Sequence, residues 1–225
     1  MILVIGAMNE EVSKLIQQVD KYDSKMINQQ TIYECEYHNI KFITILGGVG
    51  KVASAISLTT IFDHYDIDLV INMGTAGGID SKLKTFDVVV AKEVKYWDID
   101  LRAFGYQLNE PRFTYPTDEN TNQLILEINQ QDTYYGELIS ADTFTSETNK
   151  QLIRDNFPHA LACDMEAGAI GQTCQHFNIP FVVIRGISDL IFNPNNSISF
   201  DEYVHQASIS SSKLVLKLIE KCVNN

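Results

Sequence analysis

The sequence contains little cysteine, and no two of its cysteines stand close together. The four residues are Cys35, Cys163, Cys174 and Cys222. None forms a C-x-x-C pair, and the opening residues MILVIGAMNEEV do not resemble a secretory leader. We therefore expect free thiols and a cytoplasmic setting. No apolar run approaches the roughly 20 residues that a membrane-spanning helix needs, so no membrane partner is predicted.

Basic residues are also few, because 17 lysines and arginines stand against 29 acids and give a formal net charge of -12. An acidic surface repels the phosphate backbone of nucleic acids, so nucleic acid is not expected as a partner. No histidine spacing is typical of metal ligands, so neither a metal site nor a cofactor is predicted. This charge is compatible with a neutral or zwitterionic small molecule.

Apolar runs alternate with helical patterns along the 225 residues, of which 45% are hydrophobic. Runs such as MILVIG, KFITILGG, YYGELIS and FVVIRGIS predict strands that are buried on both faces. DLVINMGTAGG is interpreted as a strand that leads into a glycine-rich loop, and residues 98–120 as irregular. Helices are predicted between the strands, among them Glu166–Phe177 and a last helix from about Phe200. The alternation predicts one α/β domain over residues 1–225 with a mostly parallel sheet.

Carboxylates follow several of the predicted strands. Glu11 follows the first strand, Glu166 follows ALACDM, and Asp189 ends FVVIRGISD. Ligands of open α/β sheets bind beyond the carboxyl ends of the strands, so we expect these acids at one rim. Each acid also has a structural explanation, because Glu166 and Asp189 suit a helix start and Glu11 suits a solvated first turn. Met8 and Met165 likewise suit core filling.

The segment GGVGK is similar at a glance to a phosphate-binding loop. A P-loop would need glycine where Ile45 stands, and serine or threonine where Val52 stands. The segment therefore predicts a tight strand-to-helix turn that contacts a ligand, and not a nucleoside triphosphate site.

Four motifs in order, IGAMNEEV, NMGTAGG, CDMEAGAIGQTC and FVVIRGISD, closely resemble the 5′-methylthioadenosine/S-adenosylhomocysteine nucleosidases of the nucleoside phosphorylase superfamily. DIDLRAFGYQ, ISADTF and SISFDEY are also similar to segments of that family. The resemblance covers residues 1 to about 215. It implies a three-layer α/β/α fold around a central mixed, partly barrel-like sheet, a homodimer, and a place in methionine salvage.

The resemblance also implies roles for the acids. Asp189 matches the acid that protonates adenine N7, Glu11 the base that activates water, and Glu166 the acceptor of the ribose hydroxyls. This division fits the two-carboxylate logic of inverting glycoside hydrolysis. Because the acid must be protonated near neutral pH, we expect burial to raise the pKa of Asp189.

The remaining predicted site residues surround the substrate. Met165 matches a residue against the sugar, Phe144 the aromatic that stacks on the purine, and Thr145 a backbone that reads the adenine edge. Further pocket positions are Met8, Val49, Thr75, Ala76 and Ser188. Around the 5′-alkylthio group the resemblance places Phe104, Tyr106 and Phe200, some of them from the neighbouring subunit.

Some positions depart from the family pattern. Thr145 stands where isoleucine is usual, Thr75 where serine is usual, Gly186 where alanine is usual, and Trp97 where histidine is usual. The three acids are retained, so the chemistry is expected to be retained. The 5′ specificity is left open to another adenosine derivative, such as 5′-deoxyadenosine, or to a futalosine-type nucleoside.

Two other function classes stay open at the level of sequence. A purine nucleoside phosphorylase would need a basic phosphate clamp, but residues 1–101 contain no arginine and the whole chain has only Arg102, Arg112, Arg154 and Arg185. Lys51 is the alternative cation. A non-catalytic nucleoside-binding relative would not need an acid on each face of the sugar. Hydrolysis is therefore favoured over both.

Overall fold

The structure, a computed structural model, describes residues 1–129, 132–146, 148–191 and 200–224, without the side chains of 200–205 and 224. The described chain forms ten strands: β1 (Ile2–Gly6), β2 (Lys21–Ile27), β3 (Gln30–Tyr37), β4 (Ile40–Leu46), β5 (Leu69–Gly78), β6 (Val88–Tyr96), β7 (Thr114–Pro116), β8 (Thr133–Ser140), β9 (Ala160–Asp164) and β10 (Phe181–Leu190). Its α-helices are α1 (Asn9–Ile16), α2 (Lys51–Phe62), α3 (Glu119–Ile128), α4 (Lys150–Asn156), α5 (Ala167–Phe177) and α6 (Phe200–Asn224), and short 3-10 turns cover Arg102–Phe104 and Pro111–Phe113.

Strand β5 lies at the centre of the sheet. It pairs in parallel with β1 and β10 and antiparallel with the end of β9. From β10 the hydrogen-bonded order continues through β6, β8 and β9 and returns to β5, which closes a barrel-like ring of strands. On the other side of β5, strands β1, β4, β3 and β2 form an open extension. This mixed, partly closed sheet confirms the predicted fold class.

Apolar residues cover both faces of the sheet, as the continuous apolar runs predict. In β1, Leu3 and Ile5 pack into the core that α2 and α5 close, whereas Val4 packs into the core under α1 and α6. Successive side chains of a strand point to opposite faces, so a strand between two helical layers must be apolar throughout. The sheet is therefore the middle of three layers, α/β/α.

Three details of the predicted elements are wrong. The sheet is not mostly parallel, because half of its described strand pairings are antiparallel. The hairpin of β2 and β3 was not predicted, since β2 lies at the sheet edge with its side chains exposed and has no hydrophobic pattern. The glycine-rich segment after Met73 is not a loop, because β5 continues to Gly78 and pairs there with β9 and β10.

Within the described residues, no helix combines the length and the hydrophobicity needed to cross a bilayer.

Candidate active site

A cavity of about 250 Å³ opens where the carboxyl ends of β1, β5, β9 and β10 meet. It is lined by Ala7, Met8, Glu11, Val49, Thr75, Ala76, Gly77, Thr143, Phe144, Thr145, Cys163, Asp164, Met165, Glu166, Ser188, Asp189 and Ile191. Segments distant in sequence thus supply four carboxyl groups and no lysine or arginine to its described lining. The strand ends therefore form one acidic, otherwise largely apolar pocket.

Nearly all predicted site residues line this cavity, and two of the described ones do not. Phe104 is 78% exposed and Tyr106 is 43% exposed, and neither is part of the lining. The side chain of Phe200 lies outside the described residues. The side chains that sequence reasoning missed include Cys163 and Thr143, whose only signal was their position within the segments CDMEAGAIGQTC and ISADTF.

Glu11 lies in the first turn of α1, but it is not a solvated acid. Its side chain is 3% exposed and turns back toward the chain, where Oε2 accepts the backbone N–H of Ala7 at 2.8 Å and of Met8 at 3.1 Å. Oε1 accepts the backbone N–H of Thr75, on β5, at 2.9 Å. Burial raises the pKa of Glu11, while the Arg185 charge and these N–H donors act in the opposite direction.

Glu166 precedes the first residue of α5 but makes no side-chain cap there. The capping role belongs to Asp164, which accepts the backbone N–H of Ala167 at 3.0 Å. Glu166 instead accepts the backbone N–H of Gly50, in the turn before α2, at 2.9 Å. Burial, and then the charge of Asp164, raise the pKa of Glu166 to about 7. A helix start alone does not explain Glu166.

The GGVGK segment forms the predicted strand-to-helix turn before α2. Gly50 has a φ of 90°, a conformation that favours glycine, and a Cβ there would come within 3.0 Å of the Asp142 carboxylate. This conformation directs the Gly50 N–H to Glu166, and Val49 lines the cavity beside it. The turn thus helps to position the acid.

Asp189 lies within β10 rather than at a helix N-terminus. Its Oδ1 accepts a hydrogen bond of 2.8 Å from the Ser188 hydroxyl. Burial raises the pKa of Asp189, and the Ser188 hydrogen bond only partly opposes that shift. The raised pKa agrees with the direction expected for a proton donor.

Arg185 lies beneath the acids and is 2% exposed. Its Nη2 donates to Asp164 Oδ2 at 2.6 Å, and its Nη1 donates to the Asn72 carbonyl at 3.1 Å. A lone arginine in an apolar strand was the available signal, but sequence reasoning considered it only as a phosphate clamp. Because its guanidinium is committed to Asp164 and Asn72, it provides a fixed positive charge below the cavity.

Lys51, the other candidate phosphate cation, is also paired. Its Nζ donates to Asp98 Oδ1 at 2.5 Å and lies 4.6 Å from the centre of the Tyr96 ring. The backbone N–H of Lys51 donates to Asp142 at 2.8 Å. These contacts hold the lysine at the edge of the site, where it does not line the cavity.

Comparisons with known proteins agree on one family. The model of the phosphorylase superfamily matches residues 1–220. A 5′-methylthioadenosine/S-adenosylhomocysteine nucleosidase of Staphylococcus carnosus is 36% identical and covers 98% of this chain and 99% of its own.

Solved structures give the same result. The nucleosidase of that name from Colwellia psychrerythraea, in complex with adenine, has a TM-score of 0.88 at 32% identity and covers 98% of this chain and 94% of its own. The one from Neisseria meningitidis, in complex with methylthio-immucillin-A, has a TM-score of 0.90 at 32% identity and covers 98% of both chains.

Proposed function

We propose that in this chain, which belongs to the phosphorylase superfamily and within it to the 5′-methylthioadenosine/S-adenosylhomocysteine nucleosidases, different carboxyl groups of the cavity carry out different steps of glycosidic hydrolysis. The chain hydrolyses the N-glycosidic bond of 5′-methylthioadenosine and S-adenosylhomocysteine and releases adenine and the 5-thio-substituted ribose. The observation that carries the assignment of roles is a cavity lined by four carboxyl groups and by no described basic side chain.

Asp189 is the acid on the purine side. Adenine leaves poorly as an anion, so a proton delivered to N7 allows it to leave as a neutral base. Burial favours the protonated form that this step needs, since it raises the pKa of Asp189. The Ser188 hydroxyl holds Oδ1, which leaves Oδ2 for the purine.

Glu11 is the base on the opposite face of the sugar. It contacts β5 at Thr75, whereas Asp189 pairs with Gly77 of the same strand. Two strand residues separate these points, roughly 7 Å along β5, which leaves room for a sugar and a water. Burial raises the pKa of Glu11, and the Arg185 charge and the N–H donors of Ala7, Met8 and Thr75 oppose that shift, in the direction of the ionised carboxylate that must accept the water proton.

Glu166 accepts the ribose hydroxyls. Its Oε1 is held by the Gly50 N–H, and the second oxygen can accept from the sugar. Because burial raises the pKa of Glu166 to about 7, two donated hydroxyl bonds would stabilise its ionised form on binding. Substrate binding therefore releases a proton from this residue near neutral pH.

The test of hydrolysis against phosphorolysis is adenine release from 5′-methylthioadenosine and S-adenosylhomocysteine, each with and without phosphate. Because four carboxyl groups line the cavity, they disfavour the entry of a phosphate anion. We therefore expect adenine release that does not depend on phosphate and yields a free 5-thioribose. A requirement for phosphate, with a sugar 1-phosphate as product, would remove Glu11 from its role as base.

The protein acts as a homodimer in this proposal. Exposed apolar side chains mark the outer face of α2, where Val52 is 70% exposed and Ile56, one turn on, is 60% exposed. Val52 also lines a cavity together with Phe177, at the end of α5. A second copy packed on this face would bury them. Phe104 and Tyr106, which do not line the cavity of their own chain, would then complete the 5′ rim of the partner's site.

A cytoplasmic location and a role in methionine salvage complete the proposal. All four cysteines are free thiols, and Cys35, Cys163 and Cys174 are buried, as expected for a reducing compartment. Both substrates carry sulfur on the ribose, so the thioribose product retains the sulfur for recycling. Detection of the protein in cell fractions, and of unprocessed substrate in cells that lack it, tests both statements.

A further inference from the structure

Cys163 lies beside the proposed acid, across a glycine. Gly77 of β5 pairs with Cys163 of β9 on one side and with Asp189 of β10 on the other. Residues paired across neighbouring strands project to the same face of the sheet. The bare face of Gly77 is therefore flanked by the Cys163 thiol and the Asp189 carboxyl group, and all three residues line the cavity.

Cys163 belongs to a buried apolar cluster, and its thiol also contacts a hydroxyl group at the edge of the cavity. The Thr145 Oγ1 lies 2.9 Å from the Cys163 Sγ, and the two residues are 5% and 7% exposed. Burial raises the pKa of Cys163 to about 12, so the thiol keeps its proton at neutral pH. The pair thus presents one O–H group and one S–H group, and each can donate or accept a hydrogen bond.

The position of this pair along β5 identifies the part of the ligand that it meets. Glu11, at the sugar end, contacts Thr75, whereas the pair lies at the level of Gly77, next to Asp189. If Asp189 donates to N7, as proposed above, the neighbouring group on the same purine edge and away from the sugar is the substituent at C6.

We infer that the Thr145 hydroxyl and the Cys163 thiol contact the substituent at purine C6 and allow the site to hydrolyse 6-oxopurine as well as 6-aminopurine 5′-thioribosides. This inference rests on the proposed function of Asp189. A rotatable hydroxyl accepts from a 6-amino group and donates to a 6-oxo group, whereas an apolar side chain does neither. A polar pair at this point therefore lowers the discrimination between the two bases.

The test compares kcat/KM for 5′-methylthioadenosine and 5′-methylthioinosine in the same preparation of full-length protein. The apolar double variant is Thr145→Val with Cys163→Ala. We expect measurable cleavage of the inosine substrate by the wild-type protein, and a rise of about tenfold in the adenosine-to-inosine ratio in the double variant. The ratio does not depend on the fraction of protein that is folded.

Two further variants sharpen the result. Cys163→Ser retains a donor and acceptor and should keep the ratio near that of the wild-type protein. Cys174→Ala removes a buried thiol of α5 that does not line the cavity, and should leave the ratio unchanged. An unchanged ratio in the double variant, or no cleavage of methylthioinosine by a wild-type protein that cleaves methylthioadenosine, would overturn the inference. A wild-type protein that does not cleave methylthioadenosine would instead overturn the proposed function.

Discussion

At the scale of single residues, the motifs identify the acids but not their protonation. Glu11, Glu166 and Asp189 lie in one cavity as predicted, and burial raises the pKa of each. The fourth carboxyl group, that of Asp164, is paired with Arg185, and its charge raises the pKa of Glu166. Such effects depend on which groups become neighbours after folding, so the sequence alone could not predict them.

Glu166 should make stability fall as pH rises. Its folded pKa of about 7 lies above its ordinary value of 4.5, so the folded state holds a proton that the unfolded state releases between these values. Stability from this group is fully present below pH 4.5 and is lost by pH 7. At about 1.4 kcal/mol per pKa unit, the loss is roughly 3 kcal/mol.

The Glu166→Gln variant should lack this loss, because an amide has no proton to release in this range. Urea unfolding of both proteins at several values between pH 5 and pH 8 measures the effect. The free energy of unfolding of the variant, relative to wild type, should rise across the window. A difference that stays constant with pH would show that Glu166 is not perturbed in this way.

At the scale of elements, apolar runs predicted the strands that lie between two helical layers, such as β1 and β10. The β2–β3 hairpin was not predicted, because an edge strand with exposed polar residues has no hydrophobic pattern. The continuation of β5 through its glycines was not predicted either. Backbone pairing with β9 and β10 keeps that segment extended, and this pairing needs no side chain that the sequence could show. Long-range pairing thus overrides the local preference of glycine for turns.

The absence of a side chain at Gly74 makes room for the base. A Cβ there would lie 2.7 Å from Glu11 Oε1, an atom at the end of a flexible side chain. Gly74→Ala should therefore displace the carboxylate with little effect on the fold. We expect kcat to fall about tenfold or more, while the melting temperature changes by only a few degrees.

The matched control is the same change in a Glu11→Gln background. Because Gly74→Ala acts through Glu11, most of its effect on kcat should disappear there. Equal losses in the two backgrounds would show that the alanine disturbs another part of the site.

At the scale of the whole molecule, the two kinds of exposed surface have different expected roles. The α2 face carries Val52 and Ile56 beside Phe177, while Met26 is an isolated exposed apolar residue on the edge strand β2, at 68% exposure. The sequence could not distinguish them, because it does not show which apolar residues of KVASAISLTTIF stay outside the core. The fold groups the first set into one patch.

A charge on the α2 face should dissociate the proposed homodimer. We expect Ile56→Asp to shift the sedimentation equilibrium toward monomer and to raise KM for both substrates, since the partner no longer supplies the 5′ rim. Met26→Asp is the matched control and should leave the assembly unchanged. A dimer that is unaffected by Ile56→Asp would place the interface elsewhere.

The most direct measurement of the two-carboxylate mechanism is turnover by the Asp189→Asn protein together with its binding of 5′-methylthioadenosine. We expect a loss of about 10²–10⁴-fold in kcat with the fold and substrate binding retained, because only the proton for N7 is removed. A 7-deaza substrate, which has no N7 to protonate, should slow the wild-type protein similarly and add little to the loss in the variant. Normal turnover by a folded Asp189→Asn protein would contradict the assignment of the acid.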